Sequence, residues 1–286
     1  MQVRVGCNIV YVCPQPTPML FVVRPSLTSN HTLIEEKRIT SPSLPVDEYF
    51  DTYGNQIWRL VAPLGRLQIE YDALVKVQPT PDLIFPTLSK TPVEYLPYDT
   101  IMYTLPSRLC PSDMFVNEAW QLFGHIEGGW AQVQAVCDWL HSNIQYGAGS
   151  ISSTSAWDAY QLRRGVCRDF AHLGVSFCRA LNFPARYVCG YLPDIGVPFD
   201  PSPMDFHAWF EVYMDGAWHT FDARHNFPRI GRVLIARGRD AVDVAFATIY
   251  GSIQLESFKV WADQVAEQSR PETELGLVSD DGLNTV

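Results

Sequence analysis

Three residue types that together support nucleophilic acyl transfer occur along this chain: a cysteine, a histidine and an aspartate. Cys167 follows Gly165 by two positions and opens a helical apolar pattern. It is therefore expected at a helix N-terminus, where unpaired N–H groups and the helix dipole favour a thiolate. In a Cys–His–Asp arrangement, the histidine takes the thiol proton and returns it to the leaving group, while the aspartate fixes the imidazole tautomer. We predict that Cys167, His207 and Asp222 are the catalytic residues.

The histidine and the aspartate belong to one predicted β-hairpin. Asp-Gly at 215–216 joins two alternating runs, 207–214 and 217–223, which is a strong signal for a two-residue turn. If the residues that flank the turn pair with each other, one face of the hairpin is almost wholly apolar. His207 and Asp222 then lie on the other face as diagonal neighbours, about 7–8 Å apart at the backbone. A one-residue slip would mix the two faces, so the register is well specified.

Other titratable residues compete for these roles. Glu211 shares the strand and face of His207 and is the alternative acid that could orient the imidazole. His219 falls on the apolar face and is expected to be a core histidine. His172 and Cys178 fall within the helix that follows the nucleophile, so packing is their expected role.

The elements that must position these residues form two parts. Short β-type runs alternate with turn signals through the first 80 residues and predict a small antiparallel sandwich or barrel domain at 1–80. The proline-dense stretch 81–97 is predicted to be an extended linker with few ties to the rest of the chain. In 98–266, helical patterns precede strand patterns, which indicates an α+β core. The last segment, 267–286, carries five acids and one base and is predicted to be a mobile tail.

Composition excludes several classes of function. The net charge of −10 argues against a nucleic-acid partner, because phosphates need a basic face. Seven irregularly spaced cysteines indicate reduced thiols and a cytoplasmic location. No apolar run approaches about 18 residues, so no membrane span is predicted. No cluster has metal-ligand spacing, so no metal or other cofactor is expected. The sequence leaves the oligomeric state open.

Four sequence blocks carry a family resemblance that covers roughly residues 131–226. They are Gly-Val-Cys-Arg-Asp-Phe-Ala-His at 165–172, Arg-Ala-Leu-Asn-Phe-Pro-Ala-Arg-Tyr-Val at 179–188, His-Ala-Trp at 207–209 and Trp-His-Thr-Phe-Asp at 218–222. Together they resemble the bacterial transglutaminase-like family. The resemblance implies a papain-like α+β fold, a Cys–His–Asp triad and a β-rich domain before the core. Many relatives follow the acid with Pro-Thr, whereas Ala-Arg follows it here.

An oxyanion hole is the next requirement of such a site. The backbone N–H of Cys167 is the expected first donor. We predict that Tyr146, upstream of the nucleophile, supplies the second. Trp157 and Trp130 are the alternatives.

The expected activity is acyl transfer from an amide bond through a cysteine thioester, as in a cysteine protease or amidase. Trp209, Trp218 and Arg224 are candidates for the wall of the cleft. A protein, a peptide or another amide is the expected substrate, and water is the favoured acceptor. Transglutaminase-type exchange with an amine, or a non-catalytic peptide-binding or scaffold module, remain the alternatives.

Overall fold

The computed structural model of this protein describes residues 1–27 and 31–266. The strands in this part of the chain are β1 (Gln2–Cys13), β2 (Thr17–Phe21), β3 (Thr32–Ser41), β4 (Asp47–Phe50), β5 (Gln56–Ala62), β6 (Gly65–Lys76), β7 (Gln145–Tyr146), β8 (Arg164–Gly165), β9 (Ala185–Tyr191), β10 (His207–Met214), β11 (Ala217–Phe221), β12 (Val233–Gly238), β13 (Ala247–Ile249) and β14 (Gln254–Val265). The α-helices are α1 (Tyr98–Ile101), α2 (Val116–Phe123), α3 (Gly129–Asn143), α4 (Ala156–Leu162) and α5 (Cys167–Ala180). Short 3₁₀ turns occupy Val93–Tyr95, Met102–Thr104 and Ser112–Phe115.

Two antiparallel four-stranded sheets make up the β-rich part. Their strand orders are β14-β1-β6-β3 and β13-β2-β5-β4. Strand β6 shows why the sheets pack face to face, because alternate residues from Leu67 to Val75 are buried with at most 1% exposure. Across the interface the rings of Trp58 and Tyr71 meet edge to face at 5.8 Å. The described strands form this open sandwich rather than the closed barrel that the sequence left as an alternative.

Both ends of the chain contribute to this sandwich. Strand β14 pairs along nearly the whole of β1, from Gln2 opposite Val265 to Val12 opposite Gln254. Strand β13 pairs with β2. The sequence-based range 98–266 assigned both strands to the catalytic core, whereas the structure pairs them with the N-terminal strands. The predicted tail, 267–286, lies outside the described residues.

The remaining sheet, β11-β10-β9-β12, carries the candidate site and packs against α5. The helix and the sheet approach closely at Gly174, where an added Cβ would lie 2.4 Å from the ring of Phe210. This close approach fixes how the start of α5 faces the start of β10. Helices before strands are the α+β pattern predicted from the sequence. None of the helices in the described part of the chain has both the length and the apolarity needed to cross a membrane.

The proline-dense stretch is tied to the α+β part along its length. The carbonyl of Leu88 accepts hydrogen bonds from the first two N–H groups of α3. Asp82 exchanges hydrogen bonds with the backbone of Arg229, and Lys90 donates to the carbonyl of Leu181. The predicted lack of ties is therefore wrong. The stretch is extended, as expected of proline-rich sequence, but it is a strap on the α+β part and not a free tether.

Candidate active site

Cys167 is the first residue of α5, so its N–H has no acceptor inside the helix and is available to a ligand. Val166 precedes it in an extended conformation, which turns the chain from β8 into the helix. The carboxylate of Asp169 accepts the Val166 N–H at 2.8 Å and caps this turn. The cysteine is therefore presented at a helix N-terminus, as the sequence pattern predicted.

The loop before Cys167 is held in place by hydrogen bonds to Asp169, which is completely buried. Ser150 donates its hydroxyl to this carboxylate at 2.9 Å, and Arg168 donates to the Ser150 hydroxyl at 2.5 Å. Only glycine fits at position 165, because a Cβ there would lie 2.5 Å from the Cβ of Asp169. The glycine that the sequence singled out is thus required by packing against Asp169.

The imidazole of His207 lies between the acid and the thiol. Its Nε2 is 2.8 Å from Oδ2 of Asp222, within a buried contact. The Sγ of Cys167 lies 3.9 Å from the carbonyl oxygen of Phe206, the residue before the histidine. Since Asp222 occupies Nε2, the remaining nitrogen, Nδ1, is the one left to take the thiol proton. The structure thus brings the three predicted residues together.

The predicted pairing register of the hairpin is confirmed, and it explains why His207 and Asp222 lie close together. Strands β10 and β11 pair from Met214 opposite Ala217 to Phe210 opposite Phe221. The pairing ends there, so His207 and Asp222 lie just beyond the ladder and approach each other through their side chains.

A buried guanidinium holds the acid from its other side. Nη2 of Arg232 donates to Oδ2 of Asp222 at 2.9 Å, and its Nε donates to Asp82 of the strap at 2.8 Å. The same guanidinium lies 5.0 Å from the ring centre of Trp209. The backbone N–H of His225 donates to the second oxygen of Asp222 at 3.2 Å. Every oxygen of this carboxylate is therefore engaged, which fixes its orientation toward His207.

The charges of this pair are mutually stabilised. Burial by itself would raise the pKa of Asp222, but the charges of His207 and Arg232 outweigh burial and hold that pKa well below its usual range. Burial would also lower the pKa of His207, yet the Asp222 carboxylate and the Cys167 thiol raise it above its ordinary value. The environment therefore favours the imidazolium, which is the partner that a thiolate needs.

Glu211, the competing acid, pairs with two arginines and not with His207. It is buried, and its carboxylate accepts from Arg186 at 2.6 Å and from Arg237 at 3.0 Å. Those two charges lower its pKa against the effect of burial. The structure therefore places Asp222, and not Glu211, in hydrogen-bond contact with His207.

Tyr146 lies beside the nucleophile loop, because β7 pairs with β8 and sets Tyr146 opposite Gly165. Its side chain is half exposed, and the guanidinium of Arg224 covers its ring at 4.2 Å. Burial and the nearby Cys167 raise the pKa of its hydroxyl, which keeps it a donor. The structure thus brings Tyr146, the predicted oxyanion donor, beside the nucleophile loop, with Arg224 against its ring.

The two alternative donors lie in the core. Trp157 stacks on Tyr160 and meets Phe115 edge to face. Trp130 is buried against Phe221, with ring centres 4.6 Å apart. Both side chains fill space between helices and sheet.

The two tryptophans predicted to line the cleft have different places. The ring of Trp209 stacks near that of His207, with centres 6.2 Å apart, and shields the His–Asp pair. Trp218 packs instead against Tyr103 and under the guanidinium of Arg186, which lies 3.9 Å from its ring centre. Trp218 lies four positions before Asp222 in extended chain, a span of about 13 Å, so it lies away from the nucleophile.

The other cysteines are shielded from chemistry. All seven lie in the described part of the chain, and only Cys167 is not buried. Burial raises the thiol pKa of the remaining six, which are Cys7, Cys13, Cys110, Cys137, Cys178 and Cys189.

The two histidines expected in the core serve packing. His172 is fully buried, accepts the Ala241 N–H at 3.1 Å, and burial lowers its pKa to about 3. His219 is half-buried, and its Nε2 lies 3.1 Å from the carbonyl oxygen of Met214, to which it donates.

A second histidine stands beside the triad. The ligand atoms of His225, His207 and Asp222 lie within 4.8 Å of one another, a spacing that suits a metal ion. However, the Nη1 atoms of Arg224 and Arg229 each lie within 3.1 Å of both ring nitrogens of His225. These guanidiniums would repel a cation, so the cluster does not fit a metal. Burial lowers the pKa of His225 to about 3, which keeps its ring neutral between them.

Sequence reasoning missed the residues that support the triad. Arg232 and Asp82 carry no motif signal, because their contact with each other is made only on folding, whereas the role of Asp169 as a cap of the Val166 N–H is local but was not predicted. His225, three positions after the predicted acid, was the one sequence signal that further residues contact the triad.

Comparisons with known proteins agree with this geometry. The family model described as the transglutaminase-like superfamily matches residues 123–223. The crystal structure of a protein named "putative cysteine protease" from Cytophaga hutchinsonii superposes with a TM-score of 0.85 at 36% identity, covering 95% of this chain and 93% of that one. An uncharacterized protein of Mycobacterium leprae is 25% identical over 85% of this chain and 91% of its own length. An uncharacterized protein of Mycobacterium tuberculosis is 32% identical over 37% of each chain.

These matches and the site define the class: the chain belongs to the transglutaminase-like superfamily. Its fold is the transglutaminase-like α+β fold preceded by antiparallel sheets. The family and the Cytophaga neighbour together support a cysteine-based enzyme.

Proposed function

We propose that this protein is a cysteine peptidase or amidase that hydrolyses amide bonds through a thioester on Cys167. The observation that carries the proposal is the buried contact of 2.8 Å between His207 and Asp222, next to a thiol at a helix N-terminus. The alternative acid, Glu211, is paired with two arginines instead. The arrangement thus supplies a base, its orienting acid and a nucleophile in one place.

The chemistry follows from these positions. His207 takes the Cys167 proton, and the thiolate attacks the amide carbonyl carbon to form a tetrahedral oxyanion. The Cys167 N–H and the Tyr146 hydroxyl are the donors for that oxyanion. The C–N bond then breaks as His207 returns the proton to the leaving amine, which leaves a thioester. Water, deprotonated by His207, attacks the thioester and releases the acid and the thiol.

Water is the proposed acceptor because the aromatic residue nearest the dyad has another role. Transamidation requires a site that admits an amine and disfavours water. Trp209 covers the His–Asp pair and stacks on Arg232, while Trp218 packs away from the nucleophile. The tryptophans of the hairpin are therefore committed to shielding and packing rather than to an amine channel.

The test combines labelling with product analysis. Iodoacetamide at mildly acidic pH should alkylate one thiol per chain, on Cys167, and Cys167→Ala should abolish turnover with an unchanged fold by circular dichroism. Labelling of another cysteine, or turnover above a few per cent in Cys167→Ala, would show that the nucleophile is wrongly assigned. An unreactive Cys167 in a folded chain would favour the non-catalytic binding module.

A second step separates hydrolysis from amide exchange. An activated acyl donor is used to form the thioester, and a primary amine is added at millimolar concentration. Free acid is the expected main product. If the amide dominates, the protein is a transglutaminase in activity as well as in fold.

A further inference from the structure

An exposed carboxylate stands two residues before the proposed catalytic histidine. Oδ1 of Asp205 accepts the N–H of Phe206 at 2.7 Å, which fixes the carboxylate against the backbone of that residue. The carbonyl oxygen of the same Phe206 lies 3.9 Å from the Sγ of Cys167. One residue thus links the carboxylate to the thiol, and Asp205 is held beside the nucleophile.

Electrostatic effects agree with this position. Burial raises the pKa of Asp205 although its side chain keeps an exposed part, and the nearby His207 opposes the rise. The pKa of Tyr146 is raised by burial and then by Cys167, and Asp205 also contributes. The Asp205 carboxylate is therefore near enough to His207 and Tyr146 for their charges to interact.

Among residues 1–27 and 31–266, no lysine or arginine pairs with the Asp205 carboxylate. The nearest basic side chains of the cleft are committed elsewhere. Arg224 lies on the ring of Tyr146, and Arg168 donates to Ser150 and to the carbonyl of Ile151. The Asp205 carboxylate has one oxygen held by Phe206 and the other open to a ligand.

We propose that Asp205 selects substrates that carry a positively charged group, an ammonium or a guanidinium, beside the scissile amide bond. This inference rests on the proposed function, since it assigns the specificity of the same cleft. A fixed negative charge beside the nucleophile attracts a cationic group of a substrate and repels an anionic one. The cation of the substrate takes the place that no lysine or arginine in the described part of the chain fills.

The test uses three methanethiosulfonate reagents that differ in charge and report on the surroundings of a thiol without requiring catalysis. They carry a trimethylammonioethyl, a methyl or a sulfonatoethyl group. The rate constant for modification of Cys167 is measured with each reagent on the full chain and on Asp205→Asn. Asp99→Asn, which removes an exposed acid from α1, is the matched control for the change in net charge.

We expect Asp205→Asn to slow the cationic reagent and to accelerate the anionic one, each by about three- to tenfold, as for a single charge near the thiol in a partly screened site. The neutral reagent should react at an unchanged rate, and Asp99→Asn should change none of the three. With active enzyme, an amide substrate with lysine beside the cleaved bond should lose its advantage over the norleucine analogue in Asp205→Asn.

Each other outcome overturns the inference. Equal charge preference in Asp205→Asn and in the parent chain would show that the carboxylate does not act on the cleft. A fall in all three rates would make Asp205 a residue that holds the site together. A reactive Cys167 with either result leaves the proposed function standing, whereas a Cys167 that no reagent modifies would overturn both proposals.

Discussion

Replacing Asp222 by asparagine tests the assignment of the triad most directly. The substitution keeps the shape of the side chain but removes the charge that lies 2.8 Å from His207. For charges about 4 Å apart at an effective dielectric constant of about 20, that interaction is worth about 4 kcal/mol. At about 1.4 kcal/mol per factor of ten, Asp222→Asn should lower kcat/KM by about a thousandfold. An equivalent substitution in a serine-dependent triad costs about 10⁴-fold.

The pH dependence of kcat/KM should also change in Asp222→Asn, in a direction that follows from the pKa of His207. Asp222 and Cys167 raise the pKa of His207, so the imidazolium of the parent enzyme persists to higher pH than that of a free histidine. Without the carboxylate that pKa falls, and the alkaline limb of the kcat/KM profile should move to lower pH. The assay is turnover of a fluorogenic amide substrate from pH 5 to 10, together with the rate of iodoacetamide alkylation across the same range.

Glu211→Gln is the matched control, since it removes a buried carboxylate from the same strand face as His207. Glu211 pairs with Arg186 and Arg237, so its loss should reduce the free energy of unfolding by about 3–5 kcal/mol. The folded fraction should retain near-normal kcat. If Glu211→Gln impairs turnover as severely as Asp222→Asn, or if the alkaline limb of Asp222→Asn does not move, the reasoning about the His–Asp pair is refuted.

Three further substitutions probe the support of the site. Gly165→Ala sets a Cβ 2.5 Å from that of Asp169. It should lower the free energy of unfolding in urea by about 1–3 kcal/mol and slow the alkylation of Cys167. An unchanged stability and alkylation rate would contradict the packing argument. Tyr146→Phe should lower kcat by about 10²–10³-fold. The rate of Cys167 alkylation should not change, because alkylation forms no oxyanion. An unchanged kcat would show that Tyr146 is not an oxyanion donor. Arg232→Met removes the buried cation that pairs with Asp222 and Asp82 and should lower the free energy of unfolding by about 3–5 kcal/mol. A loss below about 1 kcal/mol would mean that the guanidinium is dispensable.

The local features of the site were readable from the sequence. The Asp-Gly turn and the alternating runs around it specified the register of β10 and β11, because a slip of one residue would expose the apolar face. The start of a helical pattern at Cys167 specified a helix N-terminus. Both features depend on residues close together in the sequence, so the three residues of the triad could be predicted without knowledge of the tertiary structure.

The surroundings of the triad were decided by tertiary structure. Asp82 meets Arg232 across 150 residues of sequence, and Arg232 orients the acid from a loop without a regular pattern. Strands β13 and β14 pair with β2 and β1 of the N-terminal sheets, although no pattern in their own sequences predicts these partners. Long-range pairing depends on which apolar faces and charges remain unsatisfied once the rest of the chain has folded. The sequence by itself therefore predicted which cysteine, histidine and aspartate come together, while only the folded chain decided which side chains hold them in place.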